Sequence, residues 1–238
     1  VIQREIILLF ILAFIPAIIY VIWIRNTEKY NRERWIPIFI CFLWGATVAI
    51  IASIILELVL EISLVISINS ENLFGLSTAI IIAPFAEELI KPFALRTKIV
   101  KREIKELEDG LIYGAVAGLG FSATENLFYG YSFLNDWEEG IIFFIIFMLI
   151  RSFGGCLLHA SATALTGYGY GKTLINRTSW LRIIPYFIIA VFAHATYNFL
   201  VSYDIFGAVT GLLLALLLVY ISIRLIRSKI RNLDLSNR

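Results

Sequence analysis

The chain has 238 residues, 60% of them hydrophobic, with a formal net charge of +2 and a mean hydropathy of +0.86. A water-soluble domain of this length is about half apolar and has no place for so much apolar surface, so a bilayer is the natural solvent. The near-neutral charge gives no basis for nucleic-acid binding, and two cysteines, Cys41 and Cys156, each inside an apolar run, exclude a disulfide framework.

A hydrocarbon core of roughly 30 Å needs about 20 apolar residues in a helix. Seven runs meet that requirement, near 6–24, 35–56, 73–95, 110–134, 141–168, 183–203 and 206–226. The first run has no small-residue cleavage site before Arg25, so it reads as a membrane helix rather than a removed signal, although the chain begins at Val1. The second is expected to continue as an amphipathic stretch through Glu57 and Glu61, which would reach the interface, to about Ile68. The third contains Pro84 and Pro92, which a membrane helix tolerates where neighbours satisfy the freed carbonyls. The fifth is long enough to kink or tilt at Gly154 and Gly155, and Gly167-Tyr168-Gly169-Tyr170-Gly171 reads as its end. No repeat or linker interrupts residues 1–238, which read as a single polytopic membrane domain.

The charges between the runs alternate. Seventeen of the 20 basic residues fall in four segments: Arg25 to Arg34, Arg96 to Lys105, Lys172 to Arg182, and the tail from Arg224 to Arg238. The intervening connections carry no Lys or Arg, only Glu71, then Asp136, Glu138 and Glu139, then Asp204. Basic loops face the cytoplasm. The expectation is therefore an all-α protein of about seven transmembrane helices, N-terminus outside and C-terminus cytoplasmic, in a cell membrane.

A charged side chain at the bilayer centre costs at least about 2.5–3.5 kcal/mol, so each one needs a partner or a task. The third run holds Glu87, Glu88 and Lys91. Spacings of i,i+4 and i,i+3 let Lys91 reach both carboxylates, while about 100° of helix rotation separates the two glutamates. The fourth holds Glu125 among small residues, with glycines at 114, 118 and 120 that permit close helix approach. Both histidines of the chain lie in membrane runs: His159 in the fifth, two turns after Arg151, and His194 in the sixth, one turn before Asn198. Counted from the basic ends, Glu87, His194, His159 and Glu125 lie about 14, 18, 20 and 22 Å deep at 1.5 Å per residue. They can meet in one layer. Cys156, three residues before His159, reads as a buried thiol rather than a ligand.

In this order the residues resemble the PrsW family of intramembrane proteases. Glu87, Glu88 and Lys91 match its Glu-Glu-x-x-Lys motif, Phe121 and Glu125 its Phe-x-x-x-Glu, His159 its later histidine, and His194 with Asn198 its His-x-x-x-Asn. The wider superfamily includes the CAAX prenyl endopeptidases and is similar to the anterior-pharynx-defective subunit of γ-secretase. Lys91 and Glu125 depart from the endopeptidase pattern of Glu-Glu-x-x-x-Arg and His, which weakens any expectation of prenylated substrates.

The resemblance implies hydrolysis of peptide bonds in a membrane-anchored protein substrate. The expected centre is a metal, zinc by its donor set, held by Glu125, His159 and His194, with Glu87 or Glu88 as base and Lys91 tuning it. Asn198 would donate to the oxyanion or orient His194. A metal-free alternative lets a glutamate activate water directly. Two other classes compete: a non-catalytic scaffold of the same fold, and an ion- or proton-coupled transporter, for which no inverted repeat is evident.

Overall fold

The computed structural model describes residues 3–65, 71–136 and 140–236. Ile68, Glu138, Glu139 and Arg238, and the question of the Val1 start, lie outside them. Among the described residues every regular element is helical, as expected where a lipid core leaves backbone N–H and C=O groups no partner but the chain itself. Six helical stretches are long and apolar enough to cross a membrane: Arg4–Arg25, Trp35–Ile62, Leu73–Arg96, Ile141–Ile175, Trp180–Ser202 and Ala208–Ser236. Their outer faces present large apolar side chains such as Ile36, Phe39, Phe192 and Val209, the last 73% exposed, which only a lipid environment accommodates.

The seventh expected span is a helix of 30 residues, α7 (Leu107–Asp136), yet it is not among those six. Glycines, Ser122, Thr124, Glu125 and Asn126 dilute its apolar character. The structure shows why this is tolerated. Residues 108–123 of α7 are buried without interruption, so this helix is enclosed by protein and its side chains need not match lipid. Around it pack α1 (Gln3–Arg25), α2 (Trp35–Leu43), α8 (Ile141–Ile175) and α10 (Ala208–Ser236). α1 turns Leu9, Ala13, Ala17, Val21 and Ile24 inward and α10 turns Val219, Ile223, Ile226 and Ile230 inward, each at the three-to-four spacing of one helical stripe. Gly118 lies against the carbonyl of His159, and Gly110 against the backbone of Gly167; an added Cβ would overlap those atoms. These contacts draw α7 and α8 together at the level of the polar residues.

Two spans change pitch. The second runs through α2, a π-helical turn at Trp44–Ala49, and α3 (Ile50–Val65). The third is composite: α4 (Glu71–Ser77), a π-helical turn at Thr78–Ile82, α5 (Ala83–Ile90) and a 3-10 turn at Lys91–Arg96. Pro84 cannot donate to the carbonyl of Ile80, nor Pro92 to that of Glu88, so the pitch widens before one proline and tightens around the other. Side chains from elsewhere serve the widened turns: Thr124 Oγ1 donates to the Ala46 carbonyl at 2.8 Å, and Asn198 Nδ2 to the Ala79 carbonyl at 2.8 Å.

One expectation needs correction. α8 continues past the glycine-rich stretch to Ile175. Gly167 and Gly171 do not end the helix; they let it lie against Gly110 of α7. α6 (Lys98–Glu103) and α9 (Ile184–Ser202) complete the order. Segments 26–34 and 97–109 and the end of α10 meet at one end of the bundle, where Asn31 bonds Glu106 and the backbone of Lys29 bonds Asp234.

Candidate active site

The intramembrane polar residues of α5, α7, α8 and α9 converge. Lys91 sits at their centre, fully buried at the start of the 3-10 turn. Its Nζ lies 2.8 Å from Glu87 Oε2, 2.8 Å from Glu88 Oε1 and 2.7 Å from His159 Nδ1, which uses all three ammonium protons. The same Nζ stands 4.2 Å from the centroid of the Phe121 ring, a cation–π contact in a dry setting.

The hydrogen-bond pattern assigns the His159 tautomer. Nδ1 accepts from Lys91, so Nε2 carries the proton and donates to Glu125 Oε2 at 3.0 Å. Arg151 Nη2 donates to the same carboxylate oxygen at 3.0 Å and its Nε donates to Asn126 Oδ1 at 2.9 Å. The guanidinium also covers the Tyr129 ring at 3.6 Å. His194 Nδ1 donates to Glu88 Oε1 at 3.0 Å, and Thr163 Oγ1 donates to Glu88 Oε2 at 3.0 Å. His194 Nε2 stands 4.0 Å from Glu87 Oε2, and the two imidazole rings meet edge to face at 4.8 Å.

The two adjacent glutamates have different surroundings. Glu88 is fully buried and accepts from three groups. Glu87 lines two adjoining cavities that also share Glu125 and Tyr129. One, of about 330 Å³, is bounded by His159, Arg151, Tyr197 and Asn198. The other, of about 380 Å³, runs between α3, α5 and α7 past Ser53, Glu57 and Glu61. Glu57 and Glu61 therefore belong to the approach to the centre, not only to an interface.

Residues 33–226 match the family described as PrsW family intramembrane metalloprotease. The chain belongs to the PrsW family. Over 125 residues it is 33% identical to Protease PrsW of Clostridioides difficile (strain 630), an alignment covering 52% of this chain and 51% of that protein. The chain thus spans about half the length of the curated relative it matches. No solved structure matches it.

The donor set bears on the metal that the family's description implies. Glu87, Glu88, His159 and His194 each offer one ligand atom, and these atoms lie within 4.8 Å of one another. Two imidazoles and two carboxylates suit zinc or another borderline divalent ion, so the residues fit such a group. Glu125, expected as a ligand, instead meets the outer nitrogen of His159, as a carboxylate that orients a metal-binding histidine does. Asn198 does not bond His194; its amide serves the Ala79 carbonyl at the cavity wall. Cys156 is buried beside Asn126, away from the cluster.

Three contributors had no role assigned from the sequence. Arg151 was visible as an intramembrane cation on the face of His159, and its ion pair with Glu125 is the reason for its presence. Thr163, one turn after His159, had the right spacing but an uninformative residue type. Phe121 belonged to the family motif, but its place over Lys91 needed the helix crossing.

Proposed function

We propose that this chain is an intramembrane peptidase that hydrolyses peptide bonds of membrane-anchored proteins at the Glu87–Glu88–Lys91–Glu125–His159–His194 centre. The observation that carries this reading is the pairing of a donor set suited to a divalent ion with a carboxylate, Glu87, that opens onto cavity space. Glu88, His159 and His194 would hold the ion, zinc in this reading, which when bound lowers the pKa of coordinated water and polarises a carbonyl. Glu87 is the proton acceptor from water, since Glu88 is sealed by Lys91, His194 and Thr163. Lys91 fixes both glutamates. Glu125, held by Arg151, orients His159 through Nε2. Asn198 borders the cavity with one amide proton committed to Ala79, and its second N–H is the donor for a developing oxyanion.

One observation favours a second reading. Lys91 Nζ already lies within 2.8 Å of three of the four donor residues, so its ammonium stands among the donors where a metal would and offsets one of the two glutamate charges. In that metal-free version Glu87 activates water directly. The proposal includes seven spans, with α7 as the enclosed one and the basic segments cytoplasmic, and kinship with the wider CAAX endopeptidase superfamily.

The test is metal content of detergent-purified protein beside a His159→Ala/His194→Ala double variant, with cleavage of a membrane-anchored substrate assayed before and after chelation. About one zinc per chain, lost with the histidines and with chelation-sensitive cleavage, supports the metal-dependent form. Cleavage that survives in metal-free protein selects the glutamate form. No cleavage under any condition, or cleavage unchanged in Glu87→Gln, overturns the peptidase assignment in favour of a scaffold or transporter.

A further inference from the structure

A second group of carboxylates lies far from the centre, at the end of the bundle where the basic segments meet. There a cavity of about 530 Å³ is bounded by Glu33, Glu106 and Asp109, with Tyr30 and Tyr113 on its walls and Lys29, Arg32, Arg34 and Lys105 around its rim. Behind these lies Glu28, from the segment between α1 and α2, with no exposed surface. One ligand oxygen each from Glu28, Glu106 and Asp109 can be chosen so that all lie within 4.8 Å of one another.

Acidic clusters are common on protein surfaces. This one differs because its deepest member lacks compensation. Both carboxyl oxygens of Glu28 are buried, and among the described residues no donor reaches either; the same holds for both oxygens of Glu33, 4% exposed. The two carboxyls adjoin and can share a proton at most. Basic side chains share the cavity wall, but among the described residues none bonds a carboxyl oxygen of Glu28 or Glu33. Arg32 Nε donates to the backbone carbonyl of Glu28 at 2.9 Å, and Arg25 Nε to that of Glu33 at 2.7 Å. Arg34 and Lys105 both pair with Glu103, at 3.8 and 3.6 Å. Asp234, also near Glu28, is occupied by the backbone N–H groups of Lys29 and Tyr30 at 2.9 and 3.3 Å. Burying an ionised carboxylate without a partner is costly, and the Glu28 and Glu33 carboxyls have no donor of their own despite the basic residues lining the cavity.

We infer that Glu28, Glu106 and Asp109, with Glu33 beside them, form a site for a hard divalent cation, Mg²⁺ or Ca²⁺, separate from the intramembrane centre. The donors are all oxygens, the chemistry that selects Mg²⁺ and Ca²⁺ over zinc. The cavity gives water a route to the remaining coordination positions, and Asp109 keeps an oxygen free because only its Oδ2 accepts from Lys105 and Glu106 N–H. A bound ion would fasten the 26–34 segment to the start of α7.

The test uses the full chain in detergent, stripped with EDTA and titrated with Mg²⁺, Ca²⁺ or Tb³⁺. Thermal unfolding temperature is expected to rise by roughly 5–10 °C at a hundredfold excess over Kd. Tb³⁺ luminescence sensitised by Tyr30 and Tyr113 is expected to saturate and to be displaced by Ca²⁺. Glu28→Gln and Asp109→Asn keep the side-chain shape and remove charge, so they are expected to fold and to weaken the ion at least tenfold. The His159→Ala/His194→Ala variant is expected to respond like wild type. The inference is overturned if wild type shows neither response, if Glu28→Gln and Asp109→Asn respond as wild type does, or if only the double histidine variant loses the response.

Discussion

The two carboxylate groups of this molecule solve the same electrostatic problem differently. Within the membrane layer, Glu87, Glu88 and Glu125 are each paired with the chain's own groups: the first two with Lys91, the third with Arg151 and the His159 N–H. At the basic end, Glu28 and Glu33 have no such partner, although four basic residues lie within nine positions of them in sequence. The difference follows from access. Midway through a bilayer no solvent ion or water arrives readily, so an uncompensated charge would prevent folding, and the compensating Lys and Arg must be built in at helical spacing. At the rim, water and dissolved ions can complete what the protein leaves open.

The largest effect should come from breaking the internal balance. Lys91→Met leaves two glutamates facing each other without a cation and is expected to cost about 3–5 kcal/mol and to abolish cleavage, read by thermal unfolding and a substrate assay. Glu87→Gln sharpens the comparison between neighbours. It should lower cleavage by about 10²–10⁴-fold with little change in unfolding temperature, whereas Glu88→Gln should also lose stability, about 1–3 kcal/mol, since Lys91, His194 and Thr163 all depend on that carboxylate. Gly118→Ala adds a Cβ against the His159 carbonyl; it is expected to destabilise by about 1–3 kcal/mol and to reduce activity through displacement of His159, seen as lowered zinc occupancy if the centre holds metal. The smallest effect has the opposite sign. In EDTA, Glu28→Gln should raise stability by up to about 1 kcal/mol because it removes buried charge, and the gain should vanish or reverse when Mg²⁺ is added. A loss of stability in EDTA would break the contrast between the two regions.

Much of the centre was legible because charge in an apolar run is conspicuous. Glu87, Glu88, Lys91, Glu125, His159 and His194 stood out by residue type, and the i,i+3 and i,i+4 links of Lys91 to both glutamates are those the structure contains. Partners across helices were less legible. Which of the two glutamates opens to the cavities beside Glu125 depends on the rotation of α5 against α9, and the role of Glu125 depends on which face of His159 it meets. Glu57 looked like an interfacial residue because its depth along α3 was readable while the hollow beside it was not. The glycine-rich stretch of α8 looked like a helix end because glycine weakens an isolated helix, but against α7 the same glycines are what permits contact.

By itself, the amino-acid sequence determined the helical class, the places of six lipid-facing spans, the alternation of basic and acidic connections, and the set of buried titratable residues. Each is a local consequence of transfer free energy between lipid and water. Tertiary structure decided that α7 is enclosed, that α5 and the start of its 3-10 turn point Glu87, Glu88 and Lys91 at the two histidines, and that Glu28 faces Glu106 and Asp109 with no donor on its carboxylate. Those facts depend on helix rotation and crossing, which close packing of whole surfaces sets and no single stretch of chain encodes.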